Sequence, residues 1–364
     1  MASFEGCFST VPDPRAANAL HDLVDVLFIA LAAILCGAES CTDMADFGRA
    51  KEGYLRKLLR LEHGIPSHDT FSRVFRLLDP EAFEAAFRGF MAAFAQANRI
   101  KGVVALDGKA VRGAYERGRK TTPLHLVNVW AVETRLALAQ RRAPGRNEVA
   151  GALEVLDLLS LQGCIVTADA LHCHRDMAQA ILDRGADYVL ALKENQSALW
   201  AEAIRRIDAA ARCNRAELEQ PCSHGRYEHR QAVVVRAASL ARQHGFPGIR
   251  AVARITSMRS LDGKPDEPVV RYFLLSKVFS AKRLLTVVRQ HWTIENQLHW
   301  VLDVVFDEDR ARNRKDNGPE NISILRKLAL NILRLHPDKA SLRRKVKRAA
   351  WDDEFLTQLI AHMR

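Results

Sequence analysis

Gly102-Val103-Val104-Ala105-Leu106 is a continuous apolar run followed at once by Asp107, and Cys164-Ile165-Val166-Thr167-Ala168 is a second such run, followed by Asp169. Uninterrupted apolar runs of this length are typical of strands that are buried on both faces of a sheet. Both strands should belong to one sheet, and each delivers an aspartate at its end. We therefore expect Asp107 and Asp169 to meet at one edge of that sheet.

The segments between and after these two runs predict the rest of an α/β core, residues 99–212. Apolar patterning predicts strands and helices with these bounds: strands at 124–132, 136–140 and 188–192, and helices at 147–161 and 175–184. The resulting order is three strands, helix, strand, helix, strand. This order is ribonuclease-H-like and predicts a mixed sheet covered on both faces.

Residues 1–98 predict a helical N-terminal domain. Helices are expected at 20–36 and 42–61, and a third helix is expected to be capped by Ser67 or Asp69. A fourth helix begins at Asp79-Pro80-Glu81. It carries a stripe of phenylalanines that should be buried: Phe83, Phe87, Phe90 and Phe94. Short helices around a Gly-containing turn form either a helix-turn-helix that reads DNA or a bundle that only packs. Given the charge of the chain, we predict DNA binding for this domain.

Residues 213–279 have a different character and predict a β-rich insertion, with apolar or alternating runs at 231–237, 249–256 and 269–275 between Gly and Pro turns. The core is expected to resume over residues 280–340. Its last helices are predicted from about 280 to 305 and from 321 to 335, and residues 341–364 form a basic helical tail.

Composition limits the class of protein and of partner. The chain has 364 residues, 48% hydrophobic and 27% charged, which excludes a disordered, fibrous or membrane-embedded protein. Its net charge is +11, and residues 281–350 hold 16 Lys and Arg against 8 Asp and Glu, so nucleic acid is the expected partner. Seven cysteines without a Cys-x-x-Cys pair fit a reducing cytosol. No export or membrane-anchoring signal is visible.

Glu295 is the third candidate in a carboxylate site. It interrupts a largely apolar face of the helix predicted from about 280 to 305, and a carboxylate there needs a cation. Taken alone, Glu295 would form an ion pair with Arg289 or Arg312. Taken alone, an Asp at a strand end is usually a turn or cap residue. With Asp107 and Asp169, a site for two Mg²⁺ or Mn²⁺ ions explains all three carboxylates better, because two-metal phosphoryl transfer needs such oxygen ligands.

Two other metal sites are weaker alternatives. His291, Glu295 and His299 form an i, i+4, i+8 ladder but lack the His-Glu-x-x-His arrangement of a zinc site. The acidic run 307–309 is a rival ligand source that is better explained as a loop pairing with nearby arginines. His172 and His174 are equally well read as surface loop residues.

Basic residues near Glu295 are candidate phosphate contacts: Arg310, Arg312, Arg314 and Lys315. A second cluster at residues 343–348 either contacts phosphates as well or is only a solvated helix face.

Several linked motifs resemble one family. They are Asp107-Gly108-Lys109-Ala110-Val111-Arg112-Gly113, Thr167-Ala168-Asp169-Ala170, Leu190-Ala191-Leu192-Lys193-Glu194-Asn195-Gln196, His224-Gly225-Arg226-Tyr227-Glu228-His229-Arg230 and His291-Trp292-x-x-Glu295-Asn296-x-x-His299-Trp300. Over nearly the whole chain they resemble the ISAs-type, or H-repeat-associated, insertion-sequence transposases of the DDE class. The resemblance implies a ribonuclease-H-like catalytic domain with a β insertion, and its Asp, Asp and Glu fall on Asp107, Asp169 and Glu295.

The same motifs suggest further contacts to DNA. Besides the basic residues near Glu295, they are Lys109, Arg112, Lys193, Asn195, Arg226, Arg289, His291, Trp292, His299 and Trp300. Trp292 or Trp300 would stack on an unpaired base. Related hairpin-forming transposases carry a Tyr, an Arg and a Lys where this chain has Val288, His291 and Leu302, so a basic role there would pass to Arg289, His291 or His299.

The sequence thus predicts a transposase that cuts and joins double-stranded DNA at element ends and target, working as a homodimer on DNA in the cytoplasm, at the nucleoid, and not at a membrane. Two alternatives remain: a stand-alone metal-dependent endonuclease, which would cut without joining, and an inactive or domesticated DNA-binding relic.

Overall fold

The computed structural model describes residues 4–95, 100–116, 119–221, 226–261 and 264–361. The first of these ranges is helical, with α1 (Phe4–Phe8), α2 (Leu23–Leu35), α3 (Cys41–Ala50), α4 (Glu52–Leu55), α5 (His68–Leu77) and α6 (Pro80–Ala95). Side-chain oxygens of Asp22, Ser40 and Ser67 cap α2, α3 and α5. The helix predicted over 42–61 is divided, because Lys51 leaves helical geometry between α3 and α4.

The phenylalanine stripe of α6 is a core stripe, as predicted. Phe83, Phe87 and Phe90 are buried, while the side chain of Phe94 lies outside the described residues. Phe8 of α1 lies edge-on to Phe83 at 5.7 Å between ring centroids. The N-terminal segment is thereby fixed onto the helical layer.

The central part of the chain has the predicted order of elements. They are β1 (Val103–Glu116), β2 (Arg119–Ala131), β3 (Leu136–Arg142), α7 (Glu148–Asp157), β4 (Ile165–Ala168), α8 (Arg175–Asp183), β5 (Asp187–Leu192) and α9 (Ser197–Asp208). Helix α9 was not predicted. Strand β1 continues well beyond the predicted run, because β2 pairs with it in antiparallel register after β4 has ended.

The strands of the predicted insertion extend the same sheet. They and the helix between them are β6 (Asn214–Pro221), β7 (Arg226–Arg236), α10 (Ser239–His244), β8 (Ala251–Leu261), β9 (Lys264–Pro265) and β10 (Val269–Leu275). The strand order is β3-β2-β1-β4-β5-β10-β8-β7-β6, with β9 paired to β8. Strands β1, β4 and β5 are parallel and the other pairs are antiparallel, so the sheet is mixed. The predicted division of the chain into domains stays a prediction.

The last part of the chain is helical. Its elements are α11 (Ala281–His291), a π-helical segment (Ile294–His299), α12 (Trp300–Phe306), α13 (Gly318–Leu335), α14 (Leu342–Trp351) and α15 (Asp353–Ala361). The single helix predicted from about 280 to 305 is therefore interrupted by a π-helical turn. Such turns are often found at functional sites.

Both faces of the sheet are covered, and alternate residues of β1 show this directly. Val103 and Ala105 join the apolar cluster formed with the N-terminal helices and α11 to α15. Val104 and Leu106 join the cluster formed with α7, α8 and α9. Two-sided burial explains why these strands read as continuous apolar runs. Within the described ranges, no helix is both long and apolar enough to cross a membrane.

Candidate active site

The sheet register brings the two aspartates together. Leu106 of β1 and Ala168 of β4 form the last parallel pair of these strands, and Asp107 and Asp169 are the next residues. Asp169 follows the end of β4, as predicted. Asp107 lies inside β1, where it pairs with Asn128 of β2, so its predicted place at the end of a strand is wrong. It instead stands where the parallel part of the pairing stops.

Asp169 has a local structural role as well. Its Oδ1 accepts hydrogen bonds from the backbone N–H groups of Leu171, at 3.0 Å, and His172, at 3.3 Å. These bonds cap a short 3₁₀ turn that follows β4. Both use the same carboxylate oxygen, and the side chain is 51% exposed. Capping therefore does not consume the second oxygen of this carboxylate.

Glu295 reaches the site from the π-helical segment. It lies at the mouth of a cavity of ≈ 1090 Å³ that is also lined by Asp107, Asp169, His291 and Trp292. Glu295 is exposed, although the sequence pattern suggested a place in an apolar stripe. The π-helical turn changes the helical spacing here, so Ile294, which lay outside the predicted stripe, is buried and Glu295 is not.

The three carboxylates concentrate negative charge at Asp107. Burial, and then the charges of Glu295 and Asp169, raise the pKa of Asp107 from 3.8 to about 8. The Nδ1 atom of His299 lies 3.6 Å from Oδ2 of Asp107. Burial, together with Lys109 and Lys327, lowers the pKa of His299 to about 3, so this imidazole is neutral and does not offset the charge.

His291 is also neutral. Burial lowers its pKa to about 4, and its Nδ1 lies 3.0 Å from Oγ1 of Thr167 on β4. A neutral imidazole held by Thr167 can hydrogen-bond to substrate but adds no positive charge.

The catalytic segment matches a known family. The model described as "Transposase DDE domain" matches residues 98–332. The chain belongs to the DDE transposases. A second model, described as "DDE_Tnp_1-associated", matches residues 6–91, which comprise most of the N-terminal helices.

Curated relatives of this transposase match along nearly all of its length. The "H repeat-associated putative transposase YhhI" of Escherichia coli K12 is 33% identical over 97% of this chain and 96% of its own. "Putative transposase YncI" of E. coli O157:H7 is 33% identical over 97% of this chain and 93% of its own. A solved structure, "Cryo-EM structure of piggyBac transposase synaptic complex with hairpin DNA", aligns at a TM-score of 0.45 and 11% identity, covering 99% and 81% of the two chains. The family and these relatives make this protein an insertion-sequence transposase, an enzyme that cleaves and rejoins DNA, and its family uses divalent metal ions.

Lys109, one of the predicted DNA contacts, is buried among carboxylates. Its side chain is 8% exposed, and its ammonium donates to Asp303 at 2.6 Å, Glu308 at 2.9 Å and Asp309 at 3.4 Å. Its role as a DNA contact stays a prediction. Within the acidic run 307–309, Glu308 and Asp309 pair with Lys109, Asp309 also with Arg112, and Asp307 with Arg310. His299, another predicted DNA contact, is 8% exposed.

Other predicted DNA contacts are accessible in the transposase. The exposed ones are Arg112, Lys193, Asn195, Arg289, Trp292, Trp300, Arg310, Arg312, Arg314 and Lys315. Several of them also bind the protein: Asn195 donates to the carbonyl of Ala170 at 2.8 Å, and Arg314 donates to that of Gly113 at 2.9 Å. Arg112 pairs with Asp309 at 3.6 Å and Arg310 with Asp307 at 3.8 Å. The side chain of Arg226 lies outside the described residues.

Three residues near the site were missed or misplaced by sequence reasoning. Glu148, at the start of α7, acts on Asp107 through its charge. His172, read as a possible loop residue, is fully buried. Arg271 of β10 lies over the ring of Trp292, with its guanidinium carbon 5.5 Å from the ring centroid. Of these three residues, only Glu148 could have been noticed in the sequence, because it is an acidic residue at the start of a helix that follows a strand.

Among the described residues, no group of three or more His, Cys, Asp and Glu side chains is already arranged as a metal site. The oxygen-donor chemistry nevertheless suits a hard divalent cation. Burial, and after it the charges of Glu295 and Asp169, raise the pKa of Asp107.

Proposed function

We propose that Asp107, Asp169 and Glu295 are the catalytic carboxylates of this transposase, on a sheet of ribonuclease-H-like type. The observation that carries the proposal is that β1, the end of β4 and the π-helical segment contribute one carboxylate each to a single cavity. The mutual repulsion at Asp107 supports a site built to receive cations.

These residues fit two Mg²⁺ or Mn²⁺ ions, which Asp107, Asp169 and Glu295 would hold. When bound, such ions activate a water or a 3′-hydroxyl for in-line attack and stabilise the charge on the leaving oxygen. The protein's part is to hold the carboxylates in place. Asp169 is fixed by the N–H groups of Leu171 and His172, and Asp107 by its place inside β1.

DNA would enter along the exposed basic residues beside the cavity. Arg310, Arg312 and Lys315 follow the π-helical segment and are solvent-exposed, so they can neutralise backbone phosphates. Trp292 lines the cavity beside Arg271 and offers a ring on which an unpaired base can stack. Of the three candidates for the basic hairpin role, His291 and His299 are neutral, so Arg289 is the candidate that retains a positive charge.

The expected substrates are the element's terminal repeats and the target DNA. Because two ends must be cut in concert, we propose a homodimer assembled on DNA, acting at the nucleoid in the cytoplasm.

The test uses purified protein, DNA that flanks its own gene, and Mg²⁺ or Mn²⁺. The variant Asp169→Asn should lose cleavage and joining while still binding DNA. Glu194→Gln removes another exposed carboxylate from the wall of the same cavity and should keep both activities. Cleavage by Asp169→Asn at the wild-type rate would overturn the metal-ligand assignment. Joined products distinguish this activity from that of a stand-alone endonuclease, and binding without cleavage by the wild type would indicate a relic.

A further inference from the structure

A fourth carboxylate lies against strand β1 at Gly108, the residue after Asp107. Glu148 is the first residue of α7, and its side chain packs against the backbone of Gly108. A Cβ atom on Gly108 would stand only 2.1 Å from Oε2 of Glu148. Glycine at position 108 is therefore what allows this carboxylate to approach strand β1 next to Asp107.

The two oxygens of Glu148 have different surroundings. Oε1 lies 3.0 Å from Nδ1 of His125 on β2, within hydrogen-bonding distance. Oε2 is the atom that faces Gly108, and it lies 3.9 Å from Nε2 of His172. His125 thus holds the carboxylate through one oxygen, and the other lies against strand β1 at Gly108, the residue after Asp107.

His172 supplies an independent observation. Its side chain is fully buried, and neither ring nitrogen has a hydrogen-bond partner. Its Nε2 lies 3.9 Å from both Glu148 Oε2 and Asp169 Oδ1, too far for a hydrogen bond to either. A buried ring nitrogen normally has a partner. Its position between two carboxylates points to a ligand that these groups share.

We propose that Glu148 is a fourth acidic ligand of the divalent-cation site, acting with Asp107 and Asp169 through its Oε2 oxygen. The inference rests on the proposed function, because it extends the metal site proposed there. It assigns Gly108 a role as well: the absence of a side chain at this position gives Glu148 access to the catalytic strand. His125 is then the positioning residue that holds the ligand in its orientation.

The purely structural alternative is that Glu148 only anchors His125. Glu148→Gln separates the two roles, because glutamine keeps the size and a hydrogen-bonding oxygen for His125 but loses the charge that a divalent ion requires. Glu154→Gln is the matched control, since it makes the same change on an exposed position of α7.

The measurement is Mn²⁺ binding to the full-length, DNA-free protein, followed by the loss of the free Mn²⁺ signal in electron paramagnetic resonance. Glu148→Gln should weaken Mn²⁺ binding by about tenfold or more, while Glu154→Gln should bind as the wild type does. Melting temperatures in EDTA check that each variant is folded. If Glu148→Gln does not fold, Glu148→Asp, which keeps the charge but withdraws it by one methylene, should show the same weakening.

Wild-type Mn²⁺ affinity in a folded Glu148→Gln or Glu148→Asp protein would overturn this inference, provided that Asp169→Asn binds Mn²⁺ weakly. If Asp107→Asn and Asp169→Asn also bind Mn²⁺ like the wild type, the metal site of the proposed function fails, and this inference fails with it. The two failures are therefore distinguishable.

Discussion

Lys109 and Glu308 form a buried ion pair that joins strand β1 to the loop after α12, with Nζ 2.9 Å from Oε2. The other oxygen of Glu308 accepts a hydrogen bond from Ser323 of α13 at 2.7 Å. Lys327, also on α13, donates to Ser323 and to Gln140 of β3. Since Lys109 lies two residues from Asp107, this network ties the position of strand β1 near Asp107 to the buried helix α13.

Replacing Lys109 with methionine should destabilise the protein strongly. The substitution keeps much of the side-chain volume but leaves Glu308 and its neighbours Asp303 and Asp309 without their shared cation. Breaking a buried ion pair on one side costs about 3–5 kcal/mol. Urea denaturation measures the effect, and Lys315→Met, at an exposed lysine, should be neutral. Equal midpoints for the two variants would contradict the buried network.

The same network predicts loss of stability in acid. Burial alone would raise the pKa of Glu308, but Lys327, Lys109 and Arg326 outweigh it and lower the pKa from 4.5 to about 2. Because the folded-state pKa is lowered, the stabilisation is present above pH 4.5 and is lost as the pH falls toward 2. The urea midpoint of the wild type should fall through this window, and that of Glu308→Gln should fall less. Glu154→Gln should follow the wild type, and a parallel pH dependence for Glu308→Gln would count against this origin.

Asp107→Asn should stabilise the protein when metal is absent. The pKa of Asp107 is about 8 in the folded protein instead of 3.8, so its ionisation opposes folding increasingly from pH 3.8 to pH 8. In EDTA at pH 9, the variant should melt several degrees above the wild type, and near pH 4 the difference should vanish. Adding Mg²⁺ should raise the melting temperature of the wild type more than that of the variant. Asp176→Asn, an exposed carboxylate of α8, serves as the control.

Trp292→Ala should weaken binding to DNA that has an unpaired end. Stacking of a base on an aromatic ring contributes about 1–3 kcal/mol, which corresponds to a loss of about five- to a hundredfold in affinity. Fluorescence anisotropy with a labelled oligonucleotide measures it. Trp351→Ala removes a tryptophan that is 78% exposed on α14 and is not among the cavity-lining residues, and it should bind normally. Equal affinities for the two variants would rule out stacking on Trp292.

Gly113→Ala should destabilise the junction between β1 and the loop after α12. A Cβ atom there would lie 2.6 Å from the backbone carbonyl oxygens of Asp309 and Ala311, and backbone cannot move aside as a side chain can. We expect a loss of about 1–3 kcal/mol, as for other overpacked sites. Gly89→Ala is the matched control: nothing lies within 4 Å of its Cβ position in α6, so alanine should add about 0.5–1 kcal/mol. A Gly113→Ala protein as stable as Gly89→Ala would refute this close contact.

The sequence predicted the order of the central strands and helices because that information is local. A strand buried on both faces, such as β4, must be apolar throughout, and a helix such as α6 must repeat its apolar residues at helical spacing. The two aspartates could be paired for the same reason, since each follows a run of this kind. The length of β1 could not be predicted, because it depends on β2, whose pairing continues after β4 has ended.

The role of Lys109 could not be predicted because its partners are distant in the sequence. The local sequence around a lysine is the same whether its ammonium faces phosphate or a buried carboxylate. Its partners here, Asp303 and Glu308, lie 194 and 199 residues away along the chain. The contact between Glu148 and Gly108 is equally non-local. The sequence shows only that residue 108 is a glycine, and the missing side chain there makes the contact with Glu148 possible.

The π-helical segment Ile294–His299 determines what the deletion of a single residue would do to this part of the chain. A π turn is equivalent to one residue inserted into an α-helix. The extra residue is absorbed within the segment, so deleting one residue there would restore a regular helix and leave α12 close to its present orientation. The backbone that carries Glu295 would change instead, and with it the way this carboxylate meets the cavity that Asp107 and Asp169 also line. A deletion at the start of α12 would have a different effect: it would rotate the next residues by about 100°, turn Leu302 out of the core and move Asp303 away from Lys109.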